Sequence, residues 1–419
     1  MTAALPGASP AELVQLLSAA LPVAIWLYLL LGHGGFWLAG RQRDDTDARP
    51  AGPAPPWPSV TAVVPARNEA DMVPLSLASL LAQDYPGPFH VILVDDHSDD
   101  GTADAARAAA AAMHGAAPAS ADPVGLTVLP AAALPAGWTG KLWAVSQGVA
   151  HAGASATPPE YLLLTDADIG YRPGALTSLV LRARVQHSVM VSLMAKLRCD
   201  SAAERALVPA FIFFFQMLYP FAWVNRTRGA HASTAAAAGG CMLVRREALA
   251  AAGGIESIRG ALIDDCALGA RLKQQGPIWL GLTERVRSLR PYPRISDIRR
   301  MVARSAYAQL RYSPVLLAGT VIGMAVAYLA APLLALAATG PARWLGALAW
   351  ALMAVSFAPT LRFYGRSLAW APALPAIALI YVLFTLDSAW QHARGRGGMW
   401  KGRAQAIPSS TTKRTDPAR

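Results

Sequence analysis

Charge is scarce in this chain. Of its 419 residues only 15% are Asp, Glu, Lys or Arg and 54% are hydrophobic, where ordinary soluble domains carry about a quarter charged residues. That balance argues against an ordinary water-soluble protein and for membrane association. Cysteine is scarcer still: Cys199, Cys241 and Cys266 are odd in number and lack metal-ligand spacing. They speak against a disulfide framework and a zinc site and fit a reducing cytosol. Acidic residues are the minority sign, 26 against 37 Lys and Arg, for a formal charge of +11. No basic stripe interleaved with stacking aromatics accompanies that excess, so no nucleic-acid partner is expected. In a membrane protein the same excess marks cytoplasmic loops facing anionic lipid.

Long apolar runs, by contrast, are plentiful. Residues 13–31 are uncharged, rich in Leu and Ala, and long enough to span a bilayer at about 1.5 Å per residue. The only charge ahead of them is Glu12, so they lack the basic n-region of a signal peptide. Arg41, Arg43 and Arg49 follow, which predicts an outside N-terminus and a cytosolic continuation. Residues 1–40 are expected to form an uncleaved anchor, and 41–58 a Pro/Ala linker. Residues 207–224, where Phe211, Phe213, Phe214 and Phe215 cluster, are also uncharged. A span there would put the chemistry on its two sides across the bilayer. An interfacial or re-entrant helix is expected instead, with a buried core helix as the alternative.

Three further apolar runs, 315–338, 344–361 and 368–390, place a transmembrane region at 313–392, ahead of a basic tail at 393–419. Turns are expected near 340–343 and 362–366. Three full spans would leave Arg394, Arg396, Lys401 and Arg403 outside, against the positive-inside rule. One run is therefore expected to be re-entrant, and the last, with Pro372 and Pro375, is the candidate.

Between 59 and 312 the pattern changes. Short β-branched runs (60–64, 90–94, 126–129, 161–164, 189–193) alternate with helix-like stretches (71–82, 102–112, 141–151, 174–185). This predicts an α/β domain with a mostly parallel, Rossmann-like sheet and helices on both faces. In such sheets ligands bind at the carboxyl ends of strands, and several runs end in chemistry-bearing residues there. The first ends in Pro65, expected to stop the ladder, with Asn68 and Glu69 facing a pocket. The second ends in Asp95 and Asp96, whose carboxylates suit a nucleobase and ribose; Asp99 or Thr102 reads equally as a helix cap. Lys141, behind Gly140 at a helix start, suits a diphosphate. The fourth run empties into Asp166-Ala167-Asp168. Two carboxylates spaced by two suit one hard cation, Mg²⁺ or Mn²⁺, completed by substrate phosphates. Gly239-Gly240 permits close backbone approach to a sugar or acceptor, or serves as a simple turn. Asp264-Asp265 opens a helix, as a cap or as a general base for an acceptor hydroxyl.

In order and wording these motifs resemble the family 2 glycosyltransferases of the inverting, GT-A-fold kind. The 63–69 segment is similar to the family's V-P-x-x-N-E, and 95–102 to its D-D-x-S-x-D-x-T. Gly140, Lys141 and Ala144 resemble G-K-x-x-A, and Asp166 with Asp168 the metal-binding D-x-D. Asp264-Asp265 resembles E-D, with Asp in place of the Glu. Gln309-Leu310-Arg311-Tyr312 resembles the Q-x-x-R-W element, with the Gln one residue too close. Trp400 to Arg403 is similar to a tail element of lipid-glycosylating relatives. The membrane layout most resembles the hopanoid-biosynthesis-associated branch.

The resemblance implies a multi-pass enzyme of a bacterial inner membrane with a cytosolic catalytic domain. Pro65, Asn68, Glu69, Asp95, Asp96, Lys141 and Asp166 would bind a nucleotide-sugar donor, a UDP-sugar. Asp166 and Asp168 would hold the metal, and Asp265 would be the base. Gly239, Gly240, Asp264, Arg311 and Tyr312 would lie on the acceptor side, facing a lipid. Other lipid-biosynthesis enzymes are conceivable partners. The rival readings are a processive polysaccharide synthase, a polyprenyl-phosphate sugar transferase, and a non-catalytic nucleotide-sugar-binding scaffold.

Overall fold

A computed structural model describes residues 10–44, 56–114, 125–397, 399–400 and 403–404. Arg49, Lys401 and most of the 393–419 tail lie outside the described residues. The chain opens with helix α1 (Pro10–Leu31) and then alternates β1 (Val60–Ala66), α2 (Val73–Leu81), β2 (Phe89–Asp95), α3 (Thr102–His114), β3 (Leu126–Pro130), α4 (Gly140–Gly153) and β4 (Tyr161–Leu164). Next come β5 (Ile169–Tyr171), α5 (Ala175–Val185), β6 (Met190–Lys196), α6 (Ala202–Leu218), α7 (Phe221–Val224), β7 (Met242–Arg245) and α8 (Arg246–Ala251). The domain finishes with α9 (Asp264–Lys273), β8 (Ile278–Ser288), α10 (Ile295–Ala303) and α11 (Ala306–Gln309).

The eight strands form one mixed, mostly parallel sheet in the order β3-β2-β1-β4-β7-β6-β8-β5. Strands β1 to β4 are parallel neighbours, and β7 runs antiparallel between β4 and β6. All seven residues of β1 and all four of β4 are buried, as expected of parallel strands covered by helices on both faces. Pro65 does not stop the ladder. It sits inside β1 opposite Val94 of β2, while the β4 pairing on its other side ends at Val63. Its missing N–H therefore falls where no strand asks for one. The 41–58 segment is more than a linker: Asp44 N–H donates to the Leu282 carbonyl at 2.9 Å, and its buried carboxylate meets Arg182 at 3.3 Å.

The 207–224 run is broken in two. Helix α6 is fixed at its start by a capping box of Ser201 and Glu204 and ends before Tyr219-Pro220, and α7 follows. Phe213, Phe214, Leu207, Val208 and Ile212 are buried in the core shared with the sheet and the C-terminal helices, so α6 packs inside the molecule along one face. The C-terminal helices are α12 (Pro314–Met324) and α13 (Ala330–Ala337), joined by a π-turn into one run, then α14 (Gly340–Phe363) and α15 (Leu374–Ala393). Residues 340–343 form the first turn of α14, with Pro341 in its tolerated first-turn position. Three helical runs, Pro314–Ala337, Gly340–Phe363 and Leu368–Ala393, are long and apolar enough to cross a membrane. Their outer faces expose Val315, Leu336, Trp344, Leu383 and other large apolar side chains, a belt that a soluble surface does not carry. Helix α1 packs along them, and Trp26 Nε1 donates to the Ala327 carbonyl at 2.7 Å.

The last run starts and ends against the α/β domain. At its start, the Phe363 ring lies under Arg43 and Lys196 at 5.3 and 4.7 Å. The chain then descends to Pro372, whose carbonyl accepts from Trp350 Nε1 at 2.9 Å, roughly 20 Å along α14 from Phe363 at the helical rise. Helix α15 climbs back, so that Asp387 pairs with Arg299 at 3.4 Å and Ser388 Oγ accepts from Tyr307 N–H at 3.0 Å. Pro375 sits in the first turn of α15, where a helix accommodates proline, and Pro372 lies inside the short 3₁₀ segment Leu368–Ala373 that precedes it.

Candidate active site

The loops after β1 and β2 are laced together. Asn68, at φ 51°, donates its backbone N–H to Ser98 Oγ at 2.9 Å and accepts from Asp99 N–H at 3.1 Å. Glu69 N–H donates to Thr102 Oγ1 at 2.9 Å. Asp95 accepts from Ser98 N–H at 3.2 Å, and buried Asp96 stands 3.7 Å from Arg67. The residue that caps α3 is Asp100, not Asp99 or Thr102: its carboxylate accepts from Thr102 N–H and from Ala70 N–H, both at 3.0 Å. Asp95 and Asp96 thus stand at a pre-formed strand exit.

The exit of β4 faces this loop pair. Thr139 caps α4 by accepting from Leu142 N–H at 3.3 Å, which aims Lys141 inward. Lys141 Nζ lies 2.8 Å from Asp166 and 3.0 Å from Asp264, bridging the D-x-D to the start of α9. Burial works against its charge, but the two carboxylates outweigh it and hold the ammonium protonated. Burial likewise raises Asp166, with Lys141 opposing and the Asp168 carboxylate adding to the rise. Asp265 accepts from Gly239 N–H at 2.9 Å and Cys266 N–H at 2.7 Å. Burial first and the neighbouring Asp264 charge second push it up to about 6, despite Lys141 and those two donors. That places it near the range that suits a general base at neutral pH.

Pro65, Lys141, Asp166, Gly239 and Asp264 line one crevice. Gly239 permits a close approach, but what approaches is Asp265: a Cβ there would meet its Oδ2 at 3.4 Å and Lys141 Nζ at 3.5 Å. Gly240 is a packing glycine, its carbonyl taken by Thr165 Oγ1 at 2.8 Å. Arg311 and Tyr312 are not brought to this crevice. Tyr312 stacks on His392 with ring centroids 4.3 Å apart, and Arg311 and Tyr312 both have positive φ.

Two features escaped the sequence reading. Arg290, two residues past β8, donates to Asp168 at 2.7 Å and to both Glu69 oxygens at 2.6 Å. Recognising 278–288 as a strand would have put it at a strand exit. The second is an apolar cavity of about 370 Å³ walled by Phe211, Phe214 and Phe215 of α6, Met301 and Val302 of α10, Met324 of α12 and Val382 of α15. Asp264 and Asp265 stand at its wall, and Tyr219 and Gln309 add a polar pair, Gln309 Nε2 donating to the Tyr219 hydroxyl at 2.6 Å.

Among the described residues no group of three or more His, Cys, Asp or Glu could hold a metal ion. Asp166 and Asp168 supply two hard oxygen donors, so a cation held there must complete its shell with phosphate and water. The donor set fits Mg²⁺ or Mn²⁺, which keep such ligands, and not a closed zinc site.

Comparisons with known proteins agree with this layout. Residues 61–253 match the profile described as glycosyl transferase family 2, and 199–384 the one described as glycosyl transferase family group 2. Among solved structures, a mannosyltransferase from Pyrobaculum calidifontis in complex with GDP-Man and Mn²⁺ superposes with a TM-score of 0.50. It is 21% identical, with 90% of this chain and 99% of that chain covered. Mannosyl-3-phosphoglycerate synthase from Rubrobacter xylanophilus gives a TM-score of 0.36 at 20% identity over 61% of this chain and 75% of that one. No curated protein matches in sequence. The mixed, mostly parallel sheet with its covering helices is GT-A-like in fold. More particularly, two glycosyltransferase family 2 models match parts of the chain, over residues 61–253 and 199–384, and the second match takes in most of the helices able to span a membrane.

Proposed function

We propose that this enzyme transfers a sugar from a nucleotide-sugar donor to a hydroxyl of a membrane lipid, with inversion, in one displacement. The observation that carries the reading is the apolar cavity that runs from the membrane-type helices to Asp265. Asp265 takes the acceptor's proton, the freed oxygen attacks the anomeric carbon, and the bond to the nucleoside diphosphate breaks with its electron pair leaving on phosphate. Asp95, Asp96 and Asn68 receive the nucleoside, Lys141 the diphosphate. Asp166 and Asp168 would hold a Mg²⁺ or Mn²⁺, whose chemistry is to neutralise charge on the leaving group. The solved mannosyltransferase bound to GDP-Man and Mn²⁺ shares the fold and supports this assignment.

The finer reading is a bacterial inner-membrane enzyme of hopanoid lipid biosynthesis, supported by the motif wording and by the belt of exposed apolar side chains. Asp265→Asn is expected to lower transfer by about 10²- to 10⁴-fold with nucleotide binding retained. Unchanged turnover would refute the assigned base and favour an acceptor that is already ionised. Mass spectrometry of lipids from a deletion strain and its parent identifies the product; a polymer in place of a single glycolipid would overturn the acceptor.

A further inference from the structure

We infer that Arg290 occupies, in the donor-free enzyme, the place on Asp168 that a divalent cation takes when the nucleotide sugar binds, so that cation and nucleotide bind as a coupled pair. This rests on the metal-assisted reading above and adds a residue and an order of assembly to it. The guanidinium lies 2.7 Å from Asp168 and 2.6 Å from Glu69, bridging the loop after β4 to the loop after β1. Its backbone is fixed beside its partner, since Leu289 N–H donates to the Asp168 carbonyl at 2.8 Å. Only the side chain is left to move.

An arginine cannot yield its place by losing a proton. A cation arriving alone would have to displace a guanidinium that Glu69 still holds nearby, and that would remain beside it as a like charge. Lys141 imposes the same condition on Asp166. A diphosphate changes this. It offers the guanidinium a bidentate partner and brings the negative charge that a second cation needs. Arg290 then moves from Asp168 to phosphate as the cation arrives, and Glu69 and Asp168 pass from internal ion pairs to ligand binding. By linkage, nucleotide tightens the cation by the same factor as the cation tightens nucleotide.

The test is Mn²⁺ binding to the purified full-length protein, followed by the loss of the free-ion paramagnetic resonance signal, with and without UDP or GDP. In the wild type the nucleotide is expected to tighten Mn²⁺ by roughly 10-fold or more. In Arg290→Gln, Mn²⁺ without nucleotide is expected to bind roughly 10-fold tighter than in the wild type, and the coupling to shrink to about 3-fold or less. Arg290→Lys, which keeps a point charge but not the fork, should fall between. Arg290→Gln binding Mn²⁺ no better than wild type, in a variant that still binds nucleotide, overturns the role of Arg290 and leaves the metal site standing. No Mn²⁺ binding by the wild type even with either nucleotide overturns both.

Discussion

At the donor end of the crevice, Glu69, Asp166, Asp168 and Asp264 each lie within 3.0 Å of Lys141 or Arg290. At the acceptor end Phe211, Phe214, Phe215, Met324 and Val382 form an apolar wall, with Tyr219, Arg304 and Gln309 among the polar residues beside it. Asp265 stands at the junction. The donor end is assembled from strand exits of one sheet, where polar residues follow buried runs. The acceptor end is assembled from α6, α10, α12 and α15, whose apolar faces continue a single core from the sheet to the C-terminal helices. One end is rich in paired charge and the other is mostly apolar, and Asp265 stands between them in a site of low dielectric.

The largest expected break in this contrast is Lys141→Ala. It strands Asp166 and Asp264 without their shared cation. Unfolding in detergent is expected to show a loss of about 3 kcal/mol, the low end for a broken buried pair because Asp166 keeps some exposure. Loss of donor binding should accompany it, while lipid binding in the apolar half persists. Equal stability of variant and wild type would show that the donor end does not depend on the bridge.

The pH profile sharpens the role of the junction. Asp265 is raised above the ordinary 3.8 to about 6, so its protonated, inactive form appears at higher pH than for an exposed carboxylate. kcat/KM should therefore be level above pH 7 and fall by about tenfold per unit below pH 5. An acid limb near 4 would mean that the acceptor cavity does not desolvate the base.

The smallest perturbation addresses which side the apolar half presents. A protease site inserted at Gly365 and another at Gly395, both exposed turns at the two ends of the last apolar run, should be cut from the same side of sealed vesicles. Cleavage from opposite sides would make that run a full span.

The first four strands were legible because each is a short apolar run closed by Asp, Pro or Asn, a local signal. Strands β5, β7 and β8 were not: β5 has three residues and β7 four, and β8 carries Glu284, Arg285 and Arg287 near its end, where alternation is lost. Lys141, Asp166, Asp168 and Asp265 were legible because each follows a strand or opens a helix. Arg311 and Tyr312 were placed by motif spacing; both have positive φ, and Tyr312 stacks on His392, away from the crevice. Sequence alone determined the alternating sheet, the carboxylates at its strand exits and the apolar runs, since composition and period act over a few residues. Tertiary structure decided that Arg290 closes on Asp168 and Glu69, that α6 packs into the core, and that Asp387 and Ser388 of the last apolar run lie against the α/β domain. Each of these depends on contacts between residues far apart in the chain, which no local pattern encodes.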